Sequence, residues 1–257
     1  MDCSFFVPIL FLYVDCRKLQ ANHKLKFKMR INLFTSLFIP LVFISCASSK
    51  NALTNHLSKN EKKQGFQLLF DGKSMDQWTG ATDSYIPENG TITIHPEKGS
   101  GGNLYTKNEY SDFDFRFEFK LTPGANNGVG IRAPLQGDAA YVGMEIQILD
   151  NKAPEYKDLH PYQFHGSIYG VVPAKRGYLK PVGEWNEEEI IAQGPKIKVI
   201  LNGTVITDAD ITEAGENGTM DGKQHPGLKR DKGHIGFLGH GSVVQFRNIR
   251  VKDLPGQ

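Results

Sequence analysis

Phe113-Asp114-Phe115-Arg116-Phe117-Glu118-Phe119-Lys120-Leu121 is the stretch that decides the fold class of this chain. Apolar and charged residues alternate along its whole length, the period of a strand with one buried face. On a helix the same phenylalanines would scatter around the barrel and share no core. Thr122-Pro-Gly-Ala-Asn-Asn-Gly128 then supplies a turn. Working outward, shorter apolar or alternating runs at 66–70, 91–95, 128–133, 143–149, 190–192, 196–201, 204–208, 233–238 and 243–251 read as further strands. Asn-Gly pairs at 89–90, 127–128 and 202–203 separate them, and Leu201-Asn-Gly-Thr204 carries a hairpin signature. No amphipathic helix exceeds two turns, and no block repeats. The pattern predicts an all-β chain, a two-sheet antiparallel sandwich of jelly-roll kind, with one domain over 65–254.

Composition agrees with a globular body. The chain has 257 residues, 39% apolar and 23% charged, which is long enough to bury a core without disulfide staples. Its formal charge of +2 is unevenly placed. Residues 1–46 hold six of the 30 basic residues and two of the 28 acidic ones, which leaves 24 and 26 in the rest, a net of −2. Such a body is not a strongly basic nucleic-acid binder, and no nucleic-acid partner is expected.

Residues 1–46 read as a leader. Arg30 precedes an apolar run over 31–45, too short for a membrane span of roughly 20 residues but right for a secretory signal. Ser45-Cys46 before Ala-Ser-Ser resembles a bacterial lipobox, with Phe43 where Leu is usual, and predicts lipid modification of Cys46. Ordinary secretion is the alternative. Met29 opens this signal cleanly, so 1–28 reads as an upstream extension, or else as a real anchor through its apolar stretch 5–14. The expectation is an exported bacterial lipoprotein, periplasmic or attached to the outer membrane. All three cysteines, Cys3, Cys16 and Cys46, fall in the leader, so the body has no thiol chemistry. The polar stretch 47–64 reads as a tether.

Candidate chemistry comes from polar residues on a strand face. Arg132 shares a face with Gly130, and Glu145 shares one with Gln147; if the two segments pair, Arg132 and Glu145 meet on one polar surface. A solvated face with a surface ion pair fits the same alternation. Asp150 lies five residues after Glu145, about 16 Å along a regular strand and on its other face. Two-carboxylate glycosidases need roughly 5–9.5 Å, so only a bulge would make Glu145 and Asp150 such a pair. His165 and His240 sit in glycine-flanked loops, as acid/base groups or as turn histidines bonded to backbone. Trp185 suits a sugar-stacking platform or a buried anchor. Lys175 and Lys180 suit orientation of a carbonyl or hydroxyl, or plain solvation. No histidine–carboxylate cluster has metal spacing, so no cofactor or metal is expected, although a divalent ion stays compatible.

The motifs in order resemble the 3-keto-disaccharide hydrolase family. They are Gly65-Phe-Gln-Leu-Leu-Phe-Asp-Gly-Lys73 with Trp78; Asn127, Gly128 and Arg132; Glu145-Ile-Gln-Ile-Leu-Asp150; and Gly166 with Tyr169. Lys180-Pro-Val-Gly-Glu-Trp-Asn186, Leu201-Asn-Gly203, Gly233-His-Ile-Gly236 with His240, and Phe246-Arg-Asn-Ile249 complete the series. The laminarinase-like pattern Glu-x-Asp-x-x-Glu is not matched, because an amide occupies the middle and the last acid is shortened. The resemblance implies a concanavalin A-like jelly roll in an exported enzyme that cleaves glycosides already oxidised at C3. A C3 ketone acidifies the C2 proton, so elimination at C2 followed by hydration would break the bond with a base, an oxyanion holder and an acid. Under that reading His165 or Glu145 is the base, and Arg132 with Lys175 or Lys180 surrounds the oxyanion. His240 or Asp150 is the acid or orienting partner, and Gln147, Tyr169 and Trp185 contact the sugar. A sugar 3-dehydrogenase is the implied functional partner, because the chain has no dinucleotide-binding glycine loop. A carbohydrate-binding module and a conventional two-carboxylate glycoside hydrolase remain as alternatives.

Overall fold

The structure is a computed structural model that describes residues 54–99, 101–216 and 218–256; the leader, Cys46 and the start of the tether lie outside the described residues. In chain order the strands are β1 (Gln67–Leu68), β2 (Trp78–Gly80), β3 (Tyr85–Glu88), β4 (Thr91–Ile94), β5 (Asn103–Tyr110) and β6 (Phe113–Leu121). There follow β7 (Asn126–Ala133), β8 (Met144–Leu149), β9 (Trp185–Gln193), β10 (Lys196–Leu201), β11 (Thr204–Asp210), β12 (Gly233–Gly239) and β13 (Val244–Asp253). They form two antiparallel sheets. The larger runs β11-β10-β9-β6-β13-β4-β3 with β1 on β13, and the smaller runs β2-β5-β12-β7-β8. This is the all-β two-sheet sandwich that the alternation predicts. Among the described residues there are three short α-helices: α1 (Lys59–Lys63) ahead of β1, α2 (Ala139–Val142) between β7 and β8, and α3 (Ile211–Glu216) after β11.

The phenylalanine stripe performs the expected task. Phe113, Phe115, Phe117, Phe119 and Leu121 of β6 are all buried, as are Phe246 and Val251 of β13 and Ile190 and Ala192 of β9. From the facing sheet, Phe237 of β12 stacks on Phe246 with centroids 3.8 Å apart and packs edge-on against Phe117 at 5.7 Å. Trp78 closes the other side of Phe237 at 5.6 Å, and its indole N–H donates to the Leu69 carbonyl. One aromatic ring from the small sheet therefore meets both central strands of the large one.

Several sequence expectations shift. Strands β2, β3 and β5 were not anticipated: two are short, and β5 carries three consecutive exposed residues that break its alternation. Strand β9 begins at Trp185, earlier than expected, because Glu187-Glu188-Glu189 hides a period in which Asn186 and Glu188 point inward. Asn127-Gly128 reads as a turn in sequence but lies within β7, paired with Ile148 and Gln147. The tether is corrected over 54–63. Asn55 is buried and exchanges backbone–side-chain hydrogen bonds with Asn248, Ser58 and Glu61 form a capping box on α1, and Glu61 pairs with Arg250 at 2.6 Å. These bonds dock the segment on the outward face of β13.

Because Phe237 touches both sheets, Phe237→Ala is expected to cost about 3–5 kcal/mol in a denaturant melt, as for other buried aromatics truncated in a core. Lys198→Ala, which removes an exposed pair with Asp208, is expected to shift the same melt by less than about 0.5 kcal/mol.

Candidate active site

The small sheet has a second face, and that face carries the polar residues. On β8, Met144, Ile146 and Ile148 enter the core, so Glu145 and Gln147 point to the opposite side. Every residue of β8 is nevertheless buried, because α2 and the loop over 154–172 roof the outward face. Between roof and sheet lies a cavity of about 260 Å³. Its floor is Asn126, Glu145, Gln147 and Leu149, its sides are Asp138, Ala140, Tyr141, Tyr156, Leu159, Gln163 and Tyr169, and His240 stands at its rim.

Glu145 is 3% exposed, and His240 at the end of β12 places Nε2 3.3 Å from its Oε1. Strand β7 lies between β12 and β8, so this contact spans about 10 Å of sheet. The bridge is possible because residue 128 of β7 has no side chain: a Cβ on Gly128 would occupy the space of the Glu145 carboxylate. The carboxylate leans along the strand from its register partner Gly130 toward Gly128, and Gln147 leans likewise, its Nε2 donating to Asn126 Oδ1 at 2.9 Å. The Glu145 hydrogen bond, opposed by burial, holds the His240 imidazole pKa above its ordinary value. Since the folded state favours the imidazolium, this contact stabilises fully below the unfolded pKa of about 6.5. The contribution disappears as pH rises through the folded value.

The wall opposite His240 is built from backbone. Strand β8 is the edge of its sheet, and the chain over 166–169 hydrogen-bonds along it, covering the edge. Gln147 donates to the Ser167 carbonyl at 3.0 Å, Gly166 to Gln147 at 2.7 Å and Tyr169 to Glu145 at 2.9 Å. Tyr169 is thereby tied to the residue whose carboxylate it faces, and burial pushes its phenol pKa up.

Of the residues singled out in sequence, Glu145, Gln147, Tyr169 and His240 share the cavity. The others lie elsewhere. Arg132 is 3% exposed but adopts φ +47° at a bulge, where Ile131 and Arg132 together face Ile235. The bulge turns its guanidinium away from Glu145 to Asp112 and the Ser111 carbonyl, beside a separate cavity of about 960 Å³. Asp150 accepts the amides of Gly124 and Lys152 and shapes a turn. His165, fully buried, packs on Phe119 between the sheets. Its Nδ1 accepts from Leu149 N–H, and its Nε2 lies 2.9 Å from Glu188 Oε2 without hydrogen-bond alignment. Lys175 is exposed beside β11, Lys180 Nζ donates to the Trp185 carbonyl, and Trp185 lies under Arg247 on the outward face of the large sheet. Cys46 lies outside the described residues.

Sequence reasoning missed Asn126, Asp138, Tyr141, Tyr156 and Gln163. Asp138 was readable as the cap of α2, since its Oδ1 accepts from Ala140 N–H at 3.1 Å. Asn126 joins the floor through β7, and the other three come together only through the roof. Among the described residues, no group of three or more His, Cys, Asp or Glu side chains converges as a metal site would require.

If Gly128 clears the path for the bridge, both Glu145→Gln and Gly128→Ala are expected to lower the His240 pKa toward that of a free imidazole. Histidine ring resonances followed through an NMR pH titration report this. An unchanged titration in both variants would show that the bridge does not form.

A family of known description matches this chain over residues 65–252, the 3-keto-alpha-glucoside-1,2-lyase-like domain. A 3-keto-disaccharide hydrolase from Bacteroides thetaiotaomicron is 27% identical over 245 residues, covering 80% of this chain and 84% of that protein. Among solved structures, one described as a putative glycosyl hydrolase from Parabacteroides distasonis is 29% identical, with a TM-score of 0.65 over 74% of this chain and 99% of its own. A second from that organism has a TM-score of 0.67 at 24% identity over 79% of this chain and 100% of its own, a likeness of fold. With about three quarters of its length matched, the chain belongs to the 3-keto-alpha-glucoside-1,2-lyase-like family.

Proposed function

We propose that this protein cleaves 3-keto-glycosides by elimination across C1 and C2, with Glu145 as the base. The observation that carries the reading is a buried carboxylate on a rigid strand, facing a cavity and held on one side by an imidazole. His240 contacts Oε1, and among the described residues Oε2 accepts no hydrogen bond, so Oε2 is the atom available for a substrate proton.

The steps balance within the substrate. Glu145 takes the proton from C2, and the C–H electrons pass into the C3 carbonyl as an enolate. The enolate reforms the ketone, a double bond forms between C1 and C2, and the C1–O bond breaks toward the leaving oxygen, which takes up a proton. Water then adds at C1 with a proton at C2, giving the free 3-keto sugar. The imidazolium of His240 offsets the charge of the neighbouring carboxylate between turnovers, and donors in the cavity hold the enolate oxygen.

The cavity is smaller than the usual ligand cleft of roughly 300–1,000 Å³ and suits one sugar ring, the ring being oxidised, with the leaving group outside. A conventional pair of carboxylates is less suited to it, because Asp150 is engaged in a turn and Asp138 caps α2. The leader adds an export signal and a lipid anchor at Cys46, which places the enzyme where glycosides enter the cell. Its substrate requires an oxidation at C3, so a sugar 3-dehydrogenase supplies it. The elimination itself calls on no redox cofactor.

Purified residues 47–257, mixed in parallel with a 3-keto-glucoside and its unoxidised parent and followed by NMR, are expected to cleave only the ketone. Glu145→Gln is expected to lose at least about 10²-fold in kcat, the scale of a removed acid–base group. Cleavage of the parent, or full activity in Glu145→Gln, would overturn the reading.

A further inference from the structure

We propose that Tyr141 donates the proton to the departing oxygen, with Lys223 as the residue that holds its phenol in the donating orientation. The assignment rests on the elimination reading above and deepens it. The argument is one of donors and acceptors. Lys223 Nζ lies 2.8 Å from the Tyr141 hydroxyl, and an ammonium has three donors and no acceptor, so the phenol oxygen must accept. Its own hydrogen cannot be used on Lys223, and among the described residues no acceptor takes it. Tyr141 lines the cavity with Glu145, which leaves that O–H for a ligand.

Tyr169 has the same polarity but a different partner. Gln163 Nε2 donates to its hydroxyl at 3.2 Å, and the amide cannot be reversed, because Gln163 Oε1 accepts from His160 N–H at 3.0 Å. Two phenols whose oxygens accept from neighbours therefore line a cavity with a carboxylate on its floor. Elimination needs a group that surrenders its proton and a group that only lends a hydrogen bond, and the partners separate the two. A phenolate at Tyr141 would sit 2.8 Å from an ammonium, whereas at Tyr169 its direct partner would be a neutral amide in a half-buried place, with Lys223 acting on it only at longer range. Tyr141 thus suits the leaving oxygen and Tyr169 the ketone oxygen.

The ring of Tyr141 is also held from behind. It packs on buried His225 with centroids 4.7 Å apart, and His225 Nε2 is bound by both oxygens of Asp221 at 3.1 Å. Gly170, at φ +73°, leaves the space that Asp221 and His225 fill. The loop carrying Lys223 is fixed by Asp221 N–H to the Gly170 carbonyl, one residue beyond Tyr169.

Leaving-group dependence tests the assignment. Tyr141→Phe keeps the ring and its packing but removes the proton. With 3-keto alkyl glucosides, whose leaving oxygen needs that proton, its kcat is expected to fall on the order of 10²–10⁴-fold, and with 3-keto nitrophenyl glucosides by less than about tenfold. Lys223→Met is expected to show the same split in milder form, and Lys223→Arg to restore the alkyl rate. Uniform loss across leaving groups, or no loss, with the wild type active and the variants folded, overturns the role of Tyr141 and leaves the elimination standing. A wild type inactive on every 3-keto-glycoside overturns both.

Discussion

A carboxylate 3% exposed to water, with one imidazole against it, is the constraint around which the site is built. Burying a charge is costly unless it is paired, and here the partner, His240, comes from two strands away. The missing side chain at Gly128 allows Glu145 and His240 to meet over β7, so three strands must keep register for one contact to exist. The rigid sandwich below supplies that register. On its inner face, the rings of Phe237, Phe246 and Phe117 lock the small sheet to the large one. The same strand alternation that sends Ile146 into this core sends Glu145 the other way.

The roof has a comparable logic. An edge strand left bare invites pairing with another chain, and β8 is covered by its own loop. Covering the edge also carries Tyr169 to the cavity, while His165, one residue before Gly166, goes inward and becomes part of the interior with Glu188. A single segment thus serves the cavity through Gln163 and Tyr169 and the interior through His165. The stretch over 219–225 completes the roof from outside through Tyr141, although it lies far from β8 in sequence.

Much of the fold was legible because strand period is a local property. The nine residues of β6 were read with their observed bounds, and the inward residues of β8 follow from alternation alone. Glu145 and Gln147 were legible for the same reason, and His240 through its glycine-flanked loop. Arg132 was misplaced because a bulge moves a side chain off its expected face, and nothing in Gly-Ile-Arg-Ala announces one. His165 was misread because a glycine-flanked loop does not say which way the side chain turns. Glu188 gave no sign of being interior, since an acidic run normally marks a solvated face. Tyr141 was invisible because it meets the cavity and Lys223, 82 residues away, only in the folded chain.

The claim at the centre is that Glu145 removes the C2 proton before the glycosidic bond breaks. A 3-keto-glucoside carrying deuterium at C2 tests it most directly, with cleavage rates compared against the protiated substrate under single-turnover conditions. The account predicts a primary isotope effect on cleavage with a nitrophenyl leaving group, which departs readily so that breaking the C2–H bond limits the rate. Equal rates for the two isotopologues, together with retention of deuterium at C2 in the released sugar, would contradict it.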